Sequence, residues 1–161
     1  MKKIEIQRNG GGLRLRKKEI FERKKILTRQ TADEIIAAYD VENYYYSNTL
    51  HGTSITNPQY NPLYVLALLN SRLMTWYYRN TTAEEGKVFA QIKIELLKLL
   101  PIKIADEKTQ QPFITLVAQI LAAKKKDPSA DTSALEKQID EMVYALHGLT
   151  PEEIAIVEGK G

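Results

Sequence analysis

Apolar and polar positions divide the chain into an alternating N-terminal part and a helix-periodic C-terminal part. At the start, Ile4 and Ile6 alternate with polar residues, and Leu13 and Leu15 do the same after an Asn9–Gly12 turn. An Asn-Gly turn between two alternating runs predicts a β-hairpin. The polar side of this hairpin would be basic, and a two-stranded ribbon has the width of a DNA major groove. A simple edge hairpin, protected from aggregation by its charges, explains the pattern equally well.

Three more extended segments are predicted before residue 60. They are residues 26–31, 34–39 and 44–49. The polar, Gly- and Pro-containing stretch that follows, His51–Pro62, is predicted to be a loop. Residues 1–60 are therefore predicted to form a mostly β, antiparallel and basic lobe.

The stretch from Lys87 to Ile104 is predicted to contain the helix around which the core is organised. Apolar residues recur there at helical spacing, namely Phe89, Ile92, Leu96 and Leu99. Pro101 should end the helix, because proline lacks a backbone N–H and restricts the residue before it. The alternating residues 102–104 then predict a short extended piece.

Residues 61–161 are predicted to be mostly helical. Helix start signals occur at Asn61-Pro62, at Pro112, and at the capping boxes Ser133–Glu136 and Thr150–Glu153. Gly148 is predicted to end the third of these helices. The whole pattern predicts one α+β domain, 1–161, with an N-terminal β-rich lobe and a C-terminal helical hairpin or small bundle.

Composition narrows the class of protein. A chain of 161 residues fits one domain, and the absence of Cys excludes disulfides and thiolate metal sites. The sequence has neither an apolar run of the ~20 residues needed to cross a membrane nor a signal-peptide pattern. We therefore expect a cytoplasmic protein that is not associated with membranes.

Charge is distributed unevenly along the chain. Residues 1–30 hold 11 Lys/Arg and 3 Glu, although the net charge of the whole chain is only +3. A basic end on an otherwise acidic body indicates a surface that faces a polyanion such as nucleic acid. The alternative is a solvated charged leader.

Two motifs invite an enzymatic interpretation, and each is incomplete. Asn57–Tyr60 is similar to the Asn-Pro-Pro-Tyr loop of amino-methyltransferases, but Gln59 replaces the second proline and no glycine-rich cofactor turn precedes it. Glu22 and Lys24 have the Glu-x-Lys spacing of metal-dependent nucleases, without a convincing upstream acidic ligand. His51 and His147 each stand alone, and His147 is predicted to act at a helix C-terminus.

The run Tyr44–Tyr46 is the aromatic feature of the β-rich lobe. If it is a strand, Tyr44 and Tyr46 share one face and Tyr45 takes the other, and one of these faces could stack on a flipped base or pack against DNA sugar. Tyrosine is also simply a good strand residue. Nearby, Arg29 could read guanine and Gln30 could read adenine.

An ordered series of segments resembles a known family. The segments are Arg29–Thr31, Ala37–Asp40, Leu66–Leu73, Gly86–Lys93, Leu99–Ile102, Asp131–Glu136 and Tyr144–Thr150. Together, over roughly residues 24–158, they resemble the TaqI-like C-terminal specificity domain of type II restriction–modification N6-adenine DNA methyltransferases. The leucine-rich helix before Leu-Pro-Ile is also similar to specificity subunits of type I systems.

The resemblance implies a target-recognition domain that grips double-stranded DNA and reads its sequence. In that family the domain follows an N-terminal methyltransferase domain, which flips the adenine and uses S-adenosylmethionine, and which is often fused to a nuclease. The chain would then be a fragment with no catalytic residues and no cofactor of its own. S-adenosylmethionine, and Mg²⁺ where the parent protein also cleaves DNA, would belong to the parent.

Under this interpretation, the candidate DNA-binding residues form two sets. Phosphate contacts are assigned to Lys3, Arg14, Arg16, Lys24 and Lys25, and groove contacts to Arg29, Gln30, Tyr45, Arg72, Arg79 and Lys87. The rival hypothesis is a protein-interaction scaffold or specificity subunit that acts through the helical hairpin. A small nuclease using Glu22 and Lys24 is the third hypothesis.

Overall fold

The computed structural model describes residues 18–81 and 91–160, and every structural statement below concerns these two ranges. A single turn of 3-10 helix, Lys18–Ile20, comes first. The strands are β1 (Lys25–Arg29), β2 (Ala37–Asp40) and β3 (Leu50–Thr53). The helices are α1 (Pro62–Leu69), α2 (Arg72–Thr81), α3 (Ile94–Leu97), α4 (Glu107–Lys126), α5 (Ser133–His147) and α6 (Pro151–Val157). This architecture confirms the predicted α+β class. The hairpin predicted within residues 1–16 lies outside the described residues.

The three strands form one antiparallel sheet in the order β2-β1-β3. Ile26 of β1 lies opposite Tyr39 of β2 and Thr53 of β3, which fixes the register on both sides. Because side chains alternate along a strand, Ile26 and Thr28 face the helices and are fully buried. Leu27 and Arg29 point to the opposite, outer face of the sheet.

Helix α1 is the centre of the core. All six residues from Tyr64 to Leu69 are buried, between the sheet on one side and α4 and α5 on the other. As predicted, Asn61 caps the helix, since its side chain accepts a hydrogen bond from Leu63 N, and Pro62 occupies the first turn. A helix that is apolar on every side must be enclosed, and here the sheet and the helices enclose it.

The apolar stripe of Tyr64, Leu68, Leu69 and Leu73 predicts one continuous helix from Pro62 to Tyr78. This prediction is wrong, because the chain breaks at Asn70 and Ser71. The Ser71 hydroxyl donates to the Leu68 carbonyl (2.7 Å) and accepts from Met74 N (3.3 Å). Ser71 therefore ends one helix and starts the next, as serine does at helix termini.

The predicted strand at residues 44–49 is also wrong, and the predicted loop His51–Pro62 begins only after Thr53. The third strand is Leu50–Thr53, and residues 41–49 form no regular element. The reason is the Asp40 carboxylate, which accepts hydrogen bonds from the backbone N–H groups of Glu42 and Tyr44 and so turns the chain away from the sheet.

The helix predicted to organise the core is reduced to Ile94–Leu97 within the described residues, and Lys87–Ala90 lie outside them. Ile92 is buried, but in extended backbone: its N–H donates to the Gln30 carbonyl (2.7 Å) beside an isolated bridge between Thr31 and Gln91. Leu99, assigned to the buried stripe, is 68% exposed. The core therefore lies at α1 rather than at this junction.

The predicted strand over residues 102–104 is absent from the described structure. The carbonyls of Ile102 and Lys103 accept hydrogen bonds from the hydroxyls of Tyr60 and Tyr64 instead of from a neighbouring strand. Ile104 is mostly exposed. This segment thus connects the core to α4 through two tyrosine side chains.

Two of the four predicted helix starts are shifted in the C-terminal part. Helix α4 begins at Glu107 rather than at Pro112, because Asp106 accepts a hydrogen bond from Thr109 N (2.8 Å) and caps the helix earlier. For α5, the N-cap is Thr132, whose hydroxyl bonds the Glu136 carboxylate (2.6 Å), and not Ser133.

The C-terminus of α5 and the N-terminus of α6 are as predicted. Gly148, with φ of 71°, ends α5 in the left-handed region that glycine adopts without strain. Thr150 and Glu153 form the predicted reciprocal capping box of α6. None of the helices in residues 18–81 and 91–160 is both long and apolar enough to cross a bilayer.

Candidate nucleic-acid interface

The outer face of the sheet is open. A shallow cleft of about 550 Å³ runs across it, lined by Leu27, Arg29, Thr31, Ile36, Ala37, Ala38, Thr49 and Leu50. The small side chain of Ala38 leaves room above β2, and Arg29 is exposed at the end of β1. A long cation beside a shallow, uncovered β surface is an arrangement suited to a polyanionic, extended ligand.

The backbone around Arg29 and Gln30 is held by hydrogen bonds to three other segments. Arg29 N donates to the Ile36 carbonyl (2.9 Å), and Gln30 N donates to the Thr49 carbonyl (2.9 Å). The Gln30 carbonyl accepts from Ile92 N (2.7 Å). These bonds place both residues on rigid backbone, which a side chain that reads a base requires.

Lys25 does not lie on the surface, although the sequence suggested a phosphate contact. Its side chain is 1% exposed, and its ammonium group forms an ion pair with Asp40 and donates to the Phe21 carbonyl (2.8 Å). A lysine with this burial and these partners is structural in this conformation. The pair also acts on Asp40: burial alone would raise the pKa of that carboxyl, but Lys25 and the backbone N–H groups outweigh it and hold the pKa below its ordinary value.

A cluster of three aromatic rings covers this ion pair. Tyr45 stacks on Phe21 with ring centroids 4.7 Å apart, and Tyr46 meets Phe21 edge-on at 5.1 Å. The Tyr46 ring lies so close to Gly52 that a β-carbon there would collide with the tyrosine hydroxyl. Gly52 is therefore required by close approach, and it lets the ring lie across the outer face of β3.

Arg72 and Arg79, both on α2, line a second cleft of about 720 Å³ behind β2. Arg72 pairs with Asp140 (3.3 Å), while Arg79 donates to the carbonyl of Asp33 (2.8 Å) and pairs with its carboxylate (3.4 Å). Both arginines therefore brace other elements, and their charges are partly neutralised by the carboxylates.

The structure brings together some of the predicted residues and separates others. The cleft of Arg29 and the cleft of Arg72 and Arg79 lie on the two sides of the Ile35–Ala38 segment, which contributes residues to both of them. Lys24 precedes the other end of β1, about 17 Å along the strand from Arg29. The remaining cations, Lys3, Arg14, Arg16 and Lys87, lie outside the described residues.

The two histidines have structural surroundings. His51 lies on β3 and donates from Nε2 to the Ile92 carbonyl (2.7 Å), which ties the strand to the bridge segment. The Nε2 atom of His147 is buried without a hydrogen-bond partner among the described residues, so the predicted helix-terminal contact is not formed through this atom. Burial, together with the nearby Lys103, lowers the pKa of His147 and favours its neutral form.

The residues of the nuclease hypothesis are occupied elsewhere. Glu22 pairs with Lys18 (3.0 Å) and accepts a hydrogen bond from the Tyr45 hydroxyl (3.2 Å). Within residues 18–81 and 91–160, no group of three or more His, Asp or Glu side chains is placed to hold a metal ion. Here Glu22 anchors the aromatic cluster.

The sequence pattern assigns Asp40–Asn43 to a turn, but it does not predict the ion pair of Asp40 with Lys25 or the contacts of Asn70. The Asn70 side-chain amide accepts from the backbone N–H of Ala37 (2.8 Å) and donates to the Ala37 carbonyl (2.9 Å), so it pairs with the free edge of β2 like another strand. A local signal existed for Asp40, because aspartate followed by Asn43 is typical of a turn. No local signal existed for Asn70, whose partner is 33 residues away.

The family comparison identifies the class of this domain. The chain matches the family model described as TaqI-like C-terminal specificity domain over residues 1–102. Since the match spans more than half of the chain, the protein belongs to this family of specificity domains, which are not themselves catalytic. The match includes the whole sheet, α1, α2 and α3, whereas α4–α6 lie beyond it. No curated protein matches the chain.

Proposed function

We propose that the chain binds double-stranded DNA sequence-specifically, as the target-recognition domain of a restriction–modification adenine methyltransferase. The observation that carries the proposal is the exposed Arg29 on rigid backbone, in an open cleft on the outer face of a sheet that belongs to a specificity-domain family. An arginine so placed can form the bidentate contact to guanine that is common in major-groove recognition.

In this proposal, one set of residues contacts the base edges and another contacts the DNA phosphates. Arg29 and Gln30 contact base edges, and Lys24 contacts the backbone from the other end of β1. Residues 1–17 hold six Lys/Arg and one Glu, and they supply most of the long-range attraction to the polyanion. Arg72 and Arg79 support the recognition surface from behind, through Asp140 and Asp33.

The parent protein is proposed to contribute the chemistry. An N-terminal catalytic domain would bind S-adenosylmethionine and methylate adenine, with Mg²⁺ required only where the parent also cleaves DNA. The buried core of α1 and its surrounding helices supports this division, because it provides a rigid base for the recognition surface. The cytoplasm, where chromosomal DNA lies in a cell without a nucleus, is the compartment that fits the role.

Fluorescence anisotropy on a random-sequence duplex, at several salt concentrations, tests the proposal. We expect binding that weakens steeply with salt, and a double variant Lys24→Glu/Arg29→Glu that binds about tenfold or more weakly, since both phosphate and base contacts are lost. The matched control is Lys125→Glu/Lys126→Glu, which makes the same charge change at the exposed end of α4.

The outcome that contradicts the proposal is an equal loss of affinity in the two double variants, or binding that does not depend on salt. Either result would mean that only overall charge matters, or that DNA is not the ligand. Retained cooperative unfolding of each variant shows that the fold is intact.

A scaffold function remains the second candidate because of one further cleft. It has a volume of about 830 Å³ and lies between β2, α1, α4 and α5, with an apolar lining that includes Leu66, Val117, Ile120 and Ile139. A partner that docks here would be insensitive to the Lys24/Arg29 charge reversal. Substitution of Ile120 by Lys would remove such binding and leave DNA affinity within about twofold, since Ile120 does not line the cleft of Arg29.

A further inference from the structure

The loop that follows β2 exposes an unusual amount of apolar surface. Val41, Tyr44 and Tyr45 are 49%, 63% and 62% exposed, and they lie within five consecutive residues. Clustered exposed aromatic and aliphatic side chains usually mark a binding surface. The loop packs on the outer face of the sheet near the Lys24 end of β1, whereas Arg29 lies at the other end.

The backbone of this loop is held by hydrogen bonds to the Asp40 carboxylate. The Asp40 carboxylate accepts hydrogen bonds from Glu42 N (2.9 Å) and Tyr44 N (3.0 Å), while Lys25 holds the same carboxylate in the interior. Asn43 adopts a positive φ of 61°, in the left-handed region that asparagine enters more readily than most residues, and this completes the turn. The loop therefore presents its side chains in one arrangement before any ligand arrives.

Tyr45 is the braced member of the exposed pair. Phe21 lies against one face of its ring, almost parallel at an interplanar angle of 17°, and the hydroxyl donates to Glu22. With one face covered and the ring still 62% exposed, the opposite face is open to solvent. A flat aromatic group that added to this face would continue an existing stack, without first ordering the side chain.

The charged groups beside this ring are of both signs. Glu22, which accepts from the Tyr45 hydroxyl, pairs with Lys18 (3.0 Å), and Arg23 is exposed, with its Nε donating to the Glu19 carbonyl. Lys24 lines a different cleft, together with Ile26, Thr53 and Pro62. The ring itself therefore carries the recognition, since an exposed aromatic side chain with one open face is a usual means of binding unpaired nucleotides.

We propose that the open face of Tyr45 stacks on an unpaired nucleobase of the bound DNA, one displaced from the duplex beside the sequence that the sheet contacts. This inference rests on the proposed DNA-binding function. It specifies that the base bound at Tyr45 is unpaired. A base inside a duplex is stacked on both faces and offers only its edges, so the face of Tyr45 can engage only a base that has left the stack.

The experiment compares two DNA dumbbells, closed by loops of identical sequence, which differ by one extra unpaired 2-aminopurine. Anisotropy gives the affinities, and 2-aminopurine fluorescence reports stacking. We expect the dumbbell with the unpaired base to bind about fivefold or more tightly and its fluorescence to fall on binding. Tyr45→Leu should remove both effects, and Tyr45→Phe, which keeps the ring, should retain them.

Tyr44→Leu is the matched control, because Tyr44 is as exposed as Tyr45 and its neighbour in the loop. The preference for the unpaired base should survive this substitution. Loss of the preference in Tyr44→Leu to the same extent as in Tyr45→Leu would overturn the assignment to Tyr45.

The result that would overturn the inference alone is equal affinity of the wild-type protein for the two dumbbells, with salt-dependent binding to both. Failure to bind either dumbbell at low salt contradicts the proposed function itself. Binding to the fully paired dumbbell therefore distinguishes a failure of this inference from a failure of the proposed function.

Discussion

Asp40 in the sheet region and Asp140 in the helical region both bury a carboxylate, and the two regions stabilise it differently. Asp40 is surrounded by the Lys25 ammonium and two backbone N–H groups, so its pKa lies below the ordinary value of 3.8. Asp140 accepts from Arg72 N (2.9 Å) and pairs with the exposed guanidinium of Arg72, but burial outweighs both contacts and raises its pKa.

The difference shows which interactions stabilise each region. The outer side of the sheet depends on the hydrogen-bonded ion pair of Lys25 and Asp40, which holds the segment of residues 41–46, the tyrosine loop, above the sheet. The helical region depends on apolar packing around α1, where Asp140 joins α5 to α2 without stabilising either strongly. A buried ion pair is costly to break by removing one partner, whereas a half-exposed pair contributes little.

Removal of the Lys25 ammonium should have the largest effect. Lys25→Met keeps the aliphatic bulk but leaves the Asp40 carboxylate buried without its cation, and we expect a loss of about 3–5 kcal/mol in the free energy of unfolding. Urea denaturation measures it. The control is Arg72→Met, expected to lose about 1 kcal/mol or less because Arg72 is 64% exposed. Similar losses in the two variants would contradict the comparison.

Truncation in the core of the helical region comes next. Leu68 is fully buried in α1, so Leu68→Ala should destabilise the protein by about 2–5 kcal/mol through lost burial and a cavity. Leu99→Ala, at a residue that the sequence pattern had assigned to the core, should cost under ~0.5 kcal/mol because Leu99 is exposed. Thermal and urea unfolding of the two variants would show whether α1 is the centre of the core; an equal loss would return that role to residues 87–104.

Gly52→Ala should have an intermediate effect, confined to the sheet region. The new β-carbon collides with the hydroxyl of Tyr46, and displacement of that ring should cost about 1–3 kcal/mol and loosen the tyrosine loop. Combining Gly52→Ala with Tyr46→Ala removes all the ring atoms that collide, so the losses of the two substitutions in the free energy of unfolding should be less than additive. Hydrogen exchange at residues 41–46 is the sensitive measurement, and an additive double variant would argue against the contact.

The contributions of Asp40 and Asp140 to the free energy of unfolding should change with pH in opposite directions. These effects should be smaller than those of the substitutions above. Because the folded-state pKa of Asp40 is lowered, its stabilisation is present above the ordinary value of 3.8 and is lost as pH falls through the folded-state pKa. The stability difference between wild type and Asp40→Asn should therefore shrink on acidification below 3.8.

For Asp140 the folded-state pKa is raised, so ionisation opposes folding as pH rises from 3.8 through that pKa. Asp140→Asn, which keeps an acceptor for Arg72 N, should gain stability relative to wild type over this interval and stay within about 1 kcal/mol of it at neutral pH. Unfolding curves at a series of pH values test both variants, and parallel pH profiles would contradict the account.

The sequence predicted the features that depend on adjacent residues. The Asn61-Pro62 start of α1 and the Thr150–Glu153 capping box are correct, because all of their hydrogen-bonding partners lie within four residues. The strand at Lys25–Arg29 was also predicted closely. Each of these signals is local, and tertiary contacts do not override it.

Some errors arise where a distant partner decides the structure, and others where a short-range side-chain hydrogen bond competes with strand or helix propensity. Ile92 fits a helical stripe, but Gln30 and Tyr78 hold its segment in extended form, and neither partner can be identified from local periodicity. Tyr44–Tyr46 have high strand propensity, yet Asp40 turns the loop out of the sheet. For the candidate interface, residue type suggested both Arg29 and Lys25, and only the sheet register with Asp40 shows that Lys25 is buried.

Sequence selectivity tests the central claim most directly. A pool of randomised duplexes, selected for binding to the full chain at moderate salt, should yield molecules that share one short sequence. Individual duplexes with that sequence should bind at least about tenfold more tightly than shuffled versions, and Arg29→Gln should relax the preference at one base pair of the site. Salt-dependent binding with no shared sequence would contradict target recognition and leave only a non-specific DNA-binding domain.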